Sequence, residues 1–397
     1  MSERFRLGVN YWPARTGMYW WSHFEAEDVK RDFYRIRDAG VDCARIFLLW
    51  EDFQPRPDAV SRRHIELLRY VSETAAGNDL KLIVTLFTGH MSGANFLPFW
   101  ALAPGDGKSR FPVVSNGDVK NSRPRDWYAD PEVREAQALL ALEVAIALSD
   151  QPAVWAYDLG NENSNVVVPH DVRAGSAWLG IMHDALREGD HHRPITLGMH
   201  MEDLEEDRRI GPAQAAQVCD FLSMHCYPVY TEWCAGPTDA VLLPFLALIT
   251  QWLGGKDVLF EEFGAPTLDD DDDEARASGV PLLREDQAAA YTDHALRQLL
   301  DFGSSGALVW CFTDYDRQLW KTPPLDRAPH ERHFGLWRAD RSPKPALEAV
   351  SARANAVRGG KVEDYTWIDI EREAYYERPK ENLKQLYARF REHFNLA

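Results

Sequence analysis

The stretch VWAYDLGNEN, residues 154–163, joins a short, largely apolar strand to a cluster of polar residues directly behind it. A continuous apolar run is typical of a strand that is covered on both faces, as in a parallel sheet. Helical patterns lie on either side of it, over residues 131–148 and 175–187. The stretch therefore predicts one βα unit of a parallel sheet, with polar side chains at the carboxyl end of its strand.

The same unit recurs along most of the chain. We predict eight strands separated by amphipathic helices, a pattern that favours the α/β class and a closed (β/α)8 barrel, the TIM barrel. An open doubly wound sheet is the alternative, but it would place a glycine-rich turn after the first strand, where residues 9–13 contain no glycine. The predicted strands are residues 6–11, 43–47, 80–86, 154–159, 195–199, 221–225, 258–260 and 307–312. The predicted helices are residues 27–39, 61–76, 131–148, 175–187, 212–219, 238–252 and 284–302.

Two connections are too long for simple crossovers, residues 86–130 after the third strand and 313–342 after the eighth. Long loops inside a compact domain are usually functional, and here we expect them to wall one side of the barrel mouth. Aromatic residues in or near rim segments are candidates for lining that wall: Trp12, Trp20, Trp50, Trp100 and Trp320. The acidic run 269–274 lacks the spaced ligands of a calcium loop, so we interpret it as a solvated loop tip.

The composition changes after Gly359 and Gly360. We predict a catalytic barrel over residues 1–358 and a C-terminal extension over 359–397 that packs on the barrel. From Pro379 onward, apolar residues fall at helical spacing and predict a final helix on the barrel exterior. These residues are Leu383, Leu386, Tyr387, Phe390 and Phe394.

The chain of 397 residues carries 44 basic and 62 acidic residues, a net charge of −18. Such a surface repels phosphate backbones and anionic membranes, which leaves neutral small molecules or sugars, such as an oligosaccharide or small glycoside, as easier partners than nucleic acid or membrane. No apolar stretch approaches the roughly 20 residues of a membrane helix, and the N-terminus lacks the apolar core of an export signal. These features predict a cytoplasmic protein, and they leave its oligomeric state open.

The cysteines and histidines predict no metal site and no cofactor. The five cysteines include no C-x-x-C pair, which favours packed thiols over a disulfide framework or a zinc site. The 13 histidines are scattered and H-E-x-x-H is absent. A metal-dependent hydrolase is therefore a minor alternative.

Barrel enzymes carry their reactive groups at the carboxyl ends of the strands. The polar and aromatic residues at those positions are Arg45, His90, Asn161, Glu162, Asn163, His225, Tyr227, Glu261, Glu262 and Trp310. Carboxylates on the fourth and seventh strands would face each other across the mouth. A pair of carboxylic acids is what glycoside hydrolysis needs, one to protonate the departing oxygen and one to attack the anomeric carbon or activate water.

The companions of this pair each have a structural alternative. Arg45 lies within an apolar strand and must pair with a carboxylate, either Asp158 or the strand-seven Glu, whose pKa it would lower. His225 and Tyr227 share strand parity, and Trp310 offers an apolar face for a sugar ring. Each of these three is also compatible with ordinary core packing. Parity does not decide between Glu261 and Glu262, because neighbouring strand residues face opposite sides.

The ordered set of motifs resembles the retaining (β/α)8 glycosidases of clan A, most closely glycoside hydrolase family 5 and its mannosidase-like and cellulase-like relatives. The motifs are residues 160–163, 225–227 and 262–264 and the strand at Trp310, and the likeness extends from about Gly8 to Pro345. The resemblance implies that Glu162 is the acid/base and Glu262 the nucleophile. It also implies substrate-binding roles for Arg45, His90, Asn161, His225, Tyr227 and Trp310.

These inferences predict a retaining β-glycosidase that removes single sugars from short β-mannosides or β-glucosides. An endo-acting β-mannanase or glucanase and a noncatalytic sugar-binding barrel are the alternatives. The loop residues that would read the sugar cannot be assigned from the sequence.

Overall fold

The computed structural model of the protein describes residues 4–396. In chain order its strands are β1 (Arg6–Asn10), β2 (Cys43–Phe47), β3 (Lys81–Thr85), β4 (Gly89–Met91), β5 (Ala94–Phe96), β6 (Val113–Ser115), β7 (Asp118–Lys120), β8 (Val154–Asn161), β9 (Ile195–Gly198), β10 (Leu222–His225), β11 (Val258–Phe263) and β12 (Gly306–Val309). The helices are α1 (Ala26–Asp38), α2 (Trp50–Phe53), α3 (Arg62–Gly77), α4 (Pro131–Leu148), α5 (Val172–Gly189), α6 (Glu202–Glu205), α7 (Pro212–Ala215), α8 (Leu242–Gly254), α9 (Asp273–Arg276), α10 (Glu285–Asp301), α11 (Ala346–Ser351), α12 (Arg372–Tyr375) and α13 (Pro379–His393).

Eight parallel strands within residues 4–396 form a nearly closed barrel, which confirms the predicted fold class. Their order is β10-β11-β12-β1-β2-β3-β8-β9, so each strand pairs with its neighbour in the chain. A parallel bridge between His200, just beyond β9, and His225, the last residue of β10, joins the two ends of this sheet. Most strand residues are buried because the barrel interior covers one face and the helices cover the other, and the strands therefore read as continuous apolar runs.

The helices begin where the sequence supplies capping groups. The Asp130 side chain accepts hydrogen bonds from the backbone N–H groups of Glu132 and Val133, and Pro131 opens α4. Ser61 and Asp171 cap α3 and α5 in the same way. Such caps satisfy N–H groups that have no partner within the helix. Within residues 4–396, no helix is both long enough and apolar enough to cross a membrane.

The connection after β3 forms a small sheet that the sequence analysis did not predict. Strands β4, β5, β6 and β7 pair in that order, and only β5 and β6 run parallel. Each of these strands has three residues, too few for an alternating pattern to stand out in a sequence. This small sheet carries His90 on β4 to the mouth of the barrel.

The interpretation of residues 269–274 as a solvated loop tip is wrong for Asp272, which is 2% exposed. Its carboxylate caps α9 and accepts hydrogen bonds from Arg332 Nη1 at 3.1 Å. His333 Nε2 lies 2.8 Å from the same carboxylate. The acidic run therefore holds the long connection after β12 against the barrel mouth.

The final helix forms as predicted, as α13, and buries Leu383, Leu386, Tyr387 and Phe390. The Tyr387 hydroxyl donates to Asp239 Oδ2 at 2.7 Å, and the Tyr375 hydroxyl donates to the backbone oxygen of Leu204 at 2.7 Å. These contacts attach the extension to the barrel on the side of α6 and α8. The division of the chain at residue 358 stays a prediction.

Candidate active site

A cavity of about 600 Å³ opens at the carboxyl ends of the barrel strands. It is lined by seven of the residues that the sequence analysis selected: His90, Asn161, Glu162, His225, Tyr227, Glu262 and Trp310. Trp310 directly follows β12 and is not within it. Arg45 is fully buried and does not belong to the described lining of the cavity, so it contacts the site from beneath.

Glu262 is held at the cavity floor by donors on both of its oxygens. Arg45 Nη1 donates to Oε1 at 2.5 Å, and the Tyr227 hydroxyl donates to Oε2 at 2.6 Å. His225 Nδ1 lies 3.6 Å from Oε1. The side chain is 4% exposed, so these groups fix its carboxylate in one orientation.

Glu261 and Glu262 do not follow the rule that neighbouring strand residues face opposite sides of the sheet. The register of β11 shifts against both β10 and β12 in this region, so successive side chains no longer alternate strictly between the two faces. Glu261 is also turned toward the barrel interior, 3.4 Å from Arg45 Nε and 3.4 Å from His225 Nε2. It is fully buried, whereas Glu262 lines the cavity.

Glu162 lies at a turn between β8 and a short 3-10 helix, Asn163–Asn165. Its φ angle of 48° is in the left-handed region, which few residues other than glycine adopt. Asn165 Nδ2 donates to Oε2 at 3.1 Å, and His225 Nδ1 lies 3.2 Å from Oε1. The turn directs the carboxyl group across the mouth toward Glu262.

One carboxylate oxygen of Glu162, one of Glu262 and a ring nitrogen of His225 lie within 4.8 Å of one another. Three such atoms are also the kind of set that binds a metal ion. However, the guanidinium of Arg45 already occupies Oε1 of Glu262, and its charge would repel a cation there. The arrangement is therefore better suited to proton transfer and nucleophilic attack than to metal binding.

Arg45 joins the floor of the site to the barrel core. Besides Glu262, it donates through Nη2 to Asp158 Oδ2 at 2.6 Å and to Asn161 Oδ1 at 2.9 Å. Gly198 makes room for it, because a Cβ atom there would lie 2.8 Å from Nη2. The two partners considered for Arg45 from the sequence, Asp158 and the strand-seven Glu, thus both bind it. This buried ion network satisfies a guanidinium that would otherwise be costly to enclose.

Arg45 acts on the pKa of Glu262 in the expected direction, but the pKa is raised overall and not lowered. Burial raises the pKa of Glu262, and the charge of Glu162 adds to this, which together outweigh His225 and Arg45. Burial also opposes ionisation of Glu162, but the charges of His200 and His225 and the His225 hydrogen bond bring its pKa well below the usual range. Burial lowers the pKa of His225, yet Glu262, Glu162 and Glu261 raise it to about 10.

Several lining residues were missed by the sequence analysis. His200 follows β9 by two residues, so the strand-end rule could have found it. Asn165 lies one helical turn after Glu162, and its greater distance from the strand end makes it harder to identify by the strand-end rule. Glu331 lies in a short 3-10 helix, Pro329–His333, and Trp233 lies in a turn, and both segments are too short to give a periodic pattern.

The five tryptophans expected in the wall do not belong to the described lining of the cavity, so that expectation is wrong. Trp12, Trp20 and Trp50 are buried in the core, where aromatic rings pack against one another. The aromatic lining comes instead from Phe111, Tyr227, Tyr230, Trp233 and Trp310.

The two long connections meet at the cavity. Ser92, in the connection after β3, donates to Glu331 Oε2 at 3.0 Å in the connection after β12. The Tyr230 hydroxyl donates to the other oxygen of Glu331 at 2.8 Å. Arg110 also crosses the mouth, donating to Glu202 Oε1 at 2.6 Å and to Asn165 Oδ1 at 3.1 Å. These contacts close part of the rim.

No protein-family model matches the sequence, and no curated protein matches it. Among solved structures, GH5_18 from Streptomyces cattleya in complex with GlcNAc is 24% identical with a TM-score of 0.75, covering 91% of this chain and 83% of that one. A variant of GH5_18 from the same organism, in complex with Manβ1-4GlcNAc, is 26% identical with a TM-score of 0.71, covering 89% and 80%. The exo-β-1,4-mannosidase Op5Man5 from Opitutaceae bacterium strain TAV5 is 25% identical with a TM-score of 0.71, covering 89% of this chain and 59% of that one.

These similarities confirm the resemblance drawn from the sequence. They support a clan A, family 5-like (β/α)8 glycoside hydrolase fold for this chain, and the similar structures are consistent with O-glycosidase activity on a saccharide substrate.

Proposed function

We propose that this protein is a retaining exo-β-glycosidase that releases a terminal mannosyl residue from short β-mannosides. Glu262 attacks the anomeric carbon and Glu162 protonates the departing oxygen. Glu162 then removes a proton from the water that hydrolyses the glycosyl-enzyme. Each step balances, because the proton given to the leaving group is recovered from water.

The observation that carries this proposal is the spacing of the two carboxylates. Their nearest paired oxygens lie within 4.8 Å, close to the roughly 5 to 5.5 Å of retaining enzymes and below the roughly 6.5 to 9.5 Å of inverting ones. A wider gap would be needed to hold a water molecule between the sugar and a general base. The spacing therefore favours direct attack by Glu262.

The reaction needs Glu262 ionised and Glu162 protonated, which is the reverse of the pKa order in the free protein. His225 Nδ1 is within 3.2 Å of Glu162 Oε1 and 3.6 Å of Glu262 Oε1. A charged His225 can pass its Nδ1 proton to Glu162 and take one from Glu262. The net result moves one proton across the pair and leaves Glu262 as an anion beside Arg45 and Tyr227.

The terminal sugar is bound by residues on the floor and on the small sheet. Asn161 uses Oδ1 for Arg45 and Nδ2 for the backbone oxygen of His90, and each group keeps capacity for one more hydrogen bond, which the sugar 2-hydroxyl can fill. His90 is fixed by Asn95 Oδ1 at 2.9 Å and contacts sugar hydroxyls. Trp310 supplies the apolar face against which the ring stacks.

The exo character rests on the contacts between the loops. The Ser92–Glu331 and Arg110–Glu202 contacts join segments that an internal cutter would keep apart to let a polymer pass. A cavity closed in this way admits a chain end. The preference for mannosides rests on the neighbours, one bound to Manβ1-4GlcNAc and one an exo-β-1,4-mannosidase.

The test is time-resolved chromatography on Manβ1-4GlcNAc and on a β-1,4-mannotetraose, with aryl β-mannoside, β-glucoside and β-galactoside compared in parallel. The expected result is mannose and the shortened chain from the first minutes, with the mannoside hydrolysed fastest. Early mannobiose from the tetraose would contradict the exo assignment. A faster β-glucoside would contradict the choice of sugar.

A further inference from the structure

The C-terminal extension reaches the cavity, although the final helix was expected only on the barrel exterior. Lys380 and Lys384 of α13 line the mouth together with Trp233 and Glu205. The two lysines are four residues apart and therefore lie on one face of the helix. Leu383 and Tyr387 lie on the adjoining side of the helix, and their buried side chains fix its orientation.

Trp233 is held in one orientation by this arrangement. Its indole N–H donates to Glu205 Oε1 at 2.6 Å, and its ring makes an edge contact with Tyr387, with 5.6 Å between the ring centroids. The ring is half-buried and lines the cavity. A fixed, partly exposed indole offers a face on which a sugar ring can stack.

The lysines differ in their partners. Lys380 Nζ lies 3.7 Å from Glu205 Oε1, the carboxylate that also binds Trp233. Lys384 is exposed and has no ion pair or hydrogen bond with any residue from 4 to 396. Its three N–H donors are thus available at the mouth of the cavity.

We propose that α13 completes the binding site for the leaving-group sugar, with Trp233 as its stacking surface and Lys384 as a hydrogen-bond donor to its oxygens. This inference rests on the proposed function and assigns residues of the C-terminal extension to the recognition of a sugar aglycone. The carboxylates Glu202, Glu205, Glu232 and Glu331 around the same cavity disfavour an anionic aglycone, so the leaving sugar is neutral.

The test compares Manβ1-4GlcNAc with p-nitrophenyl β-mannoside in wild type, Lys384→Ala and Lys384→Arg. Lys384→Ala should lower the ratio of kcat/KM for the disaccharide to that for the aryl glycoside by about three- to tenfold, mainly through KM. Lys384→Arg keeps a cationic donor and should restore part of the ratio. Gln385→Ala, the adjacent exposed position outside the cavity, is the matched control and should change neither substrate.

Calorimetric titration of the disaccharide into Glu162→Ala protein and into Glu162→Ala/Lys384→Ala protein repeats the comparison without turnover. Suppose that the wild type hydrolyses neither substrate, but that the Kd for the disaccharide still rises when Lys384 is replaced. This result would refute the glycosidase activity and support the subsite. If the wild type hydrolyses both substrates, but replacing Lys384 changes neither the ratio of the two kcat/KM values nor the Kd, the subsite is overturned. The glycosidase activity then stands.

Discussion

The floor of the cavity and its walls come from different parts of the chain and are held in different ways. The floor comprises residues within the barrel strands or one or two positions after them: Arg45, Glu162, His225, Tyr227 and Glu262. The walls are carried by loops and by the extension: Ser92, Arg110, Trp233, Glu331 and Lys384. Floor residues share buried ion pairs and hydrogen bonds, whereas the walls are joined by single contacts between loops.

This difference indicates a division of labour. A buried, charge-paired floor keeps reacting groups in place without reorganisation during the reaction, which is what stabilises a transition state. Walls built from loops set which substrates enter and where a chain ends. Changes to the floor should therefore affect the rate on all substrates, and changes to the walls should affect selectivity.

The largest effect is expected at Glu262. Glu262→Gln keeps the shape of the side chain but removes the attacking charge, so kcat should fall by about 10⁴-fold or more while the protein stays folded. Activity on aryl and disaccharide substrates would be measured beside a circular dichroism spectrum. Mass spectrometry after a 2-fluoro glycoside trap should place the label on Glu262, and a label on Glu261 would reverse the assignment of these neighbours.

Glu162→Ala should separate substrates by leaving group. The loss should be about 10² to 10⁴-fold for the disaccharide and smaller for p-nitrophenyl glycosides, since only a poor leaving group needs protonation. Azide should restore turnover on the aryl substrate by attacking the glycosyl-enzyme without general-base help. Equal losses on both substrates without azide rescue would exclude Glu162 as acid/base.

His225 should link the floor to stability as well as to catalysis. Its pKa in the folded protein is about 10, above the unfolded value of about 6.5, so its stabilising effect is complete below pH 6.5 and is lost as pH rises toward 10. The free energy of unfolding of the wild type should therefore fall as pH rises, by up to about 1.4 kcal/mol per pH unit. The His225→Gln protein should not show this fall. Urea titrations between pH 6 and 10 measure the free energy of unfolding of both proteins. If the two free energies change with pH in parallel, His225 is uncharged in the folded protein.

The smallest effect is expected at the wall contact between Ser92 and Glu331. Ser92→Ala removes one hydrogen bond between the long connections, at a cost of about 1 kcal/mol in stability. We expect KM for the disaccharide to rise about two- to fivefold with kcat retained, and some mannobiose to appear from the tetraose. An unchanged product profile would mean that this contact does not close the cavity.

The same division describes what could be predicted from the sequence. Glu162, His225 and Tyr227 lie at or just after the ends of recognisable apolar runs, so the barrel and most of its floor can be predicted from the sequence. Glu261 shows the limit within the floor, because a register shift in β11 is not encoded in the alternation that parity arguments use. The choice of Glu262 came from the family motif.

The walls lacked such a pattern. Glu331 lies at the cavity next to Arg332 and His333, which pair with Asp272 of the acidic run some 60 residues earlier in the chain. Lys384 lies at the cavity because a buried apolar face fixes the orientation of α13. Both depend on tertiary contacts between distant segments, which local periodicity does not report.

Proton NMR of the first product tests the central claim most directly, since carboxylate oxygens within 4.8 Å favour double displacement and the role of Glu262 as nucleophile requires it. Hydrolysis of an aryl β-mannoside would be followed from the first minutes, before the released sugar mutarotates. The account predicts that the β-anomer appears first and the α-anomer accumulates only by mutarotation. An α-anomer present from the earliest spectrum would contradict the retaining mechanism and the assignment of Glu262 as nucleophile.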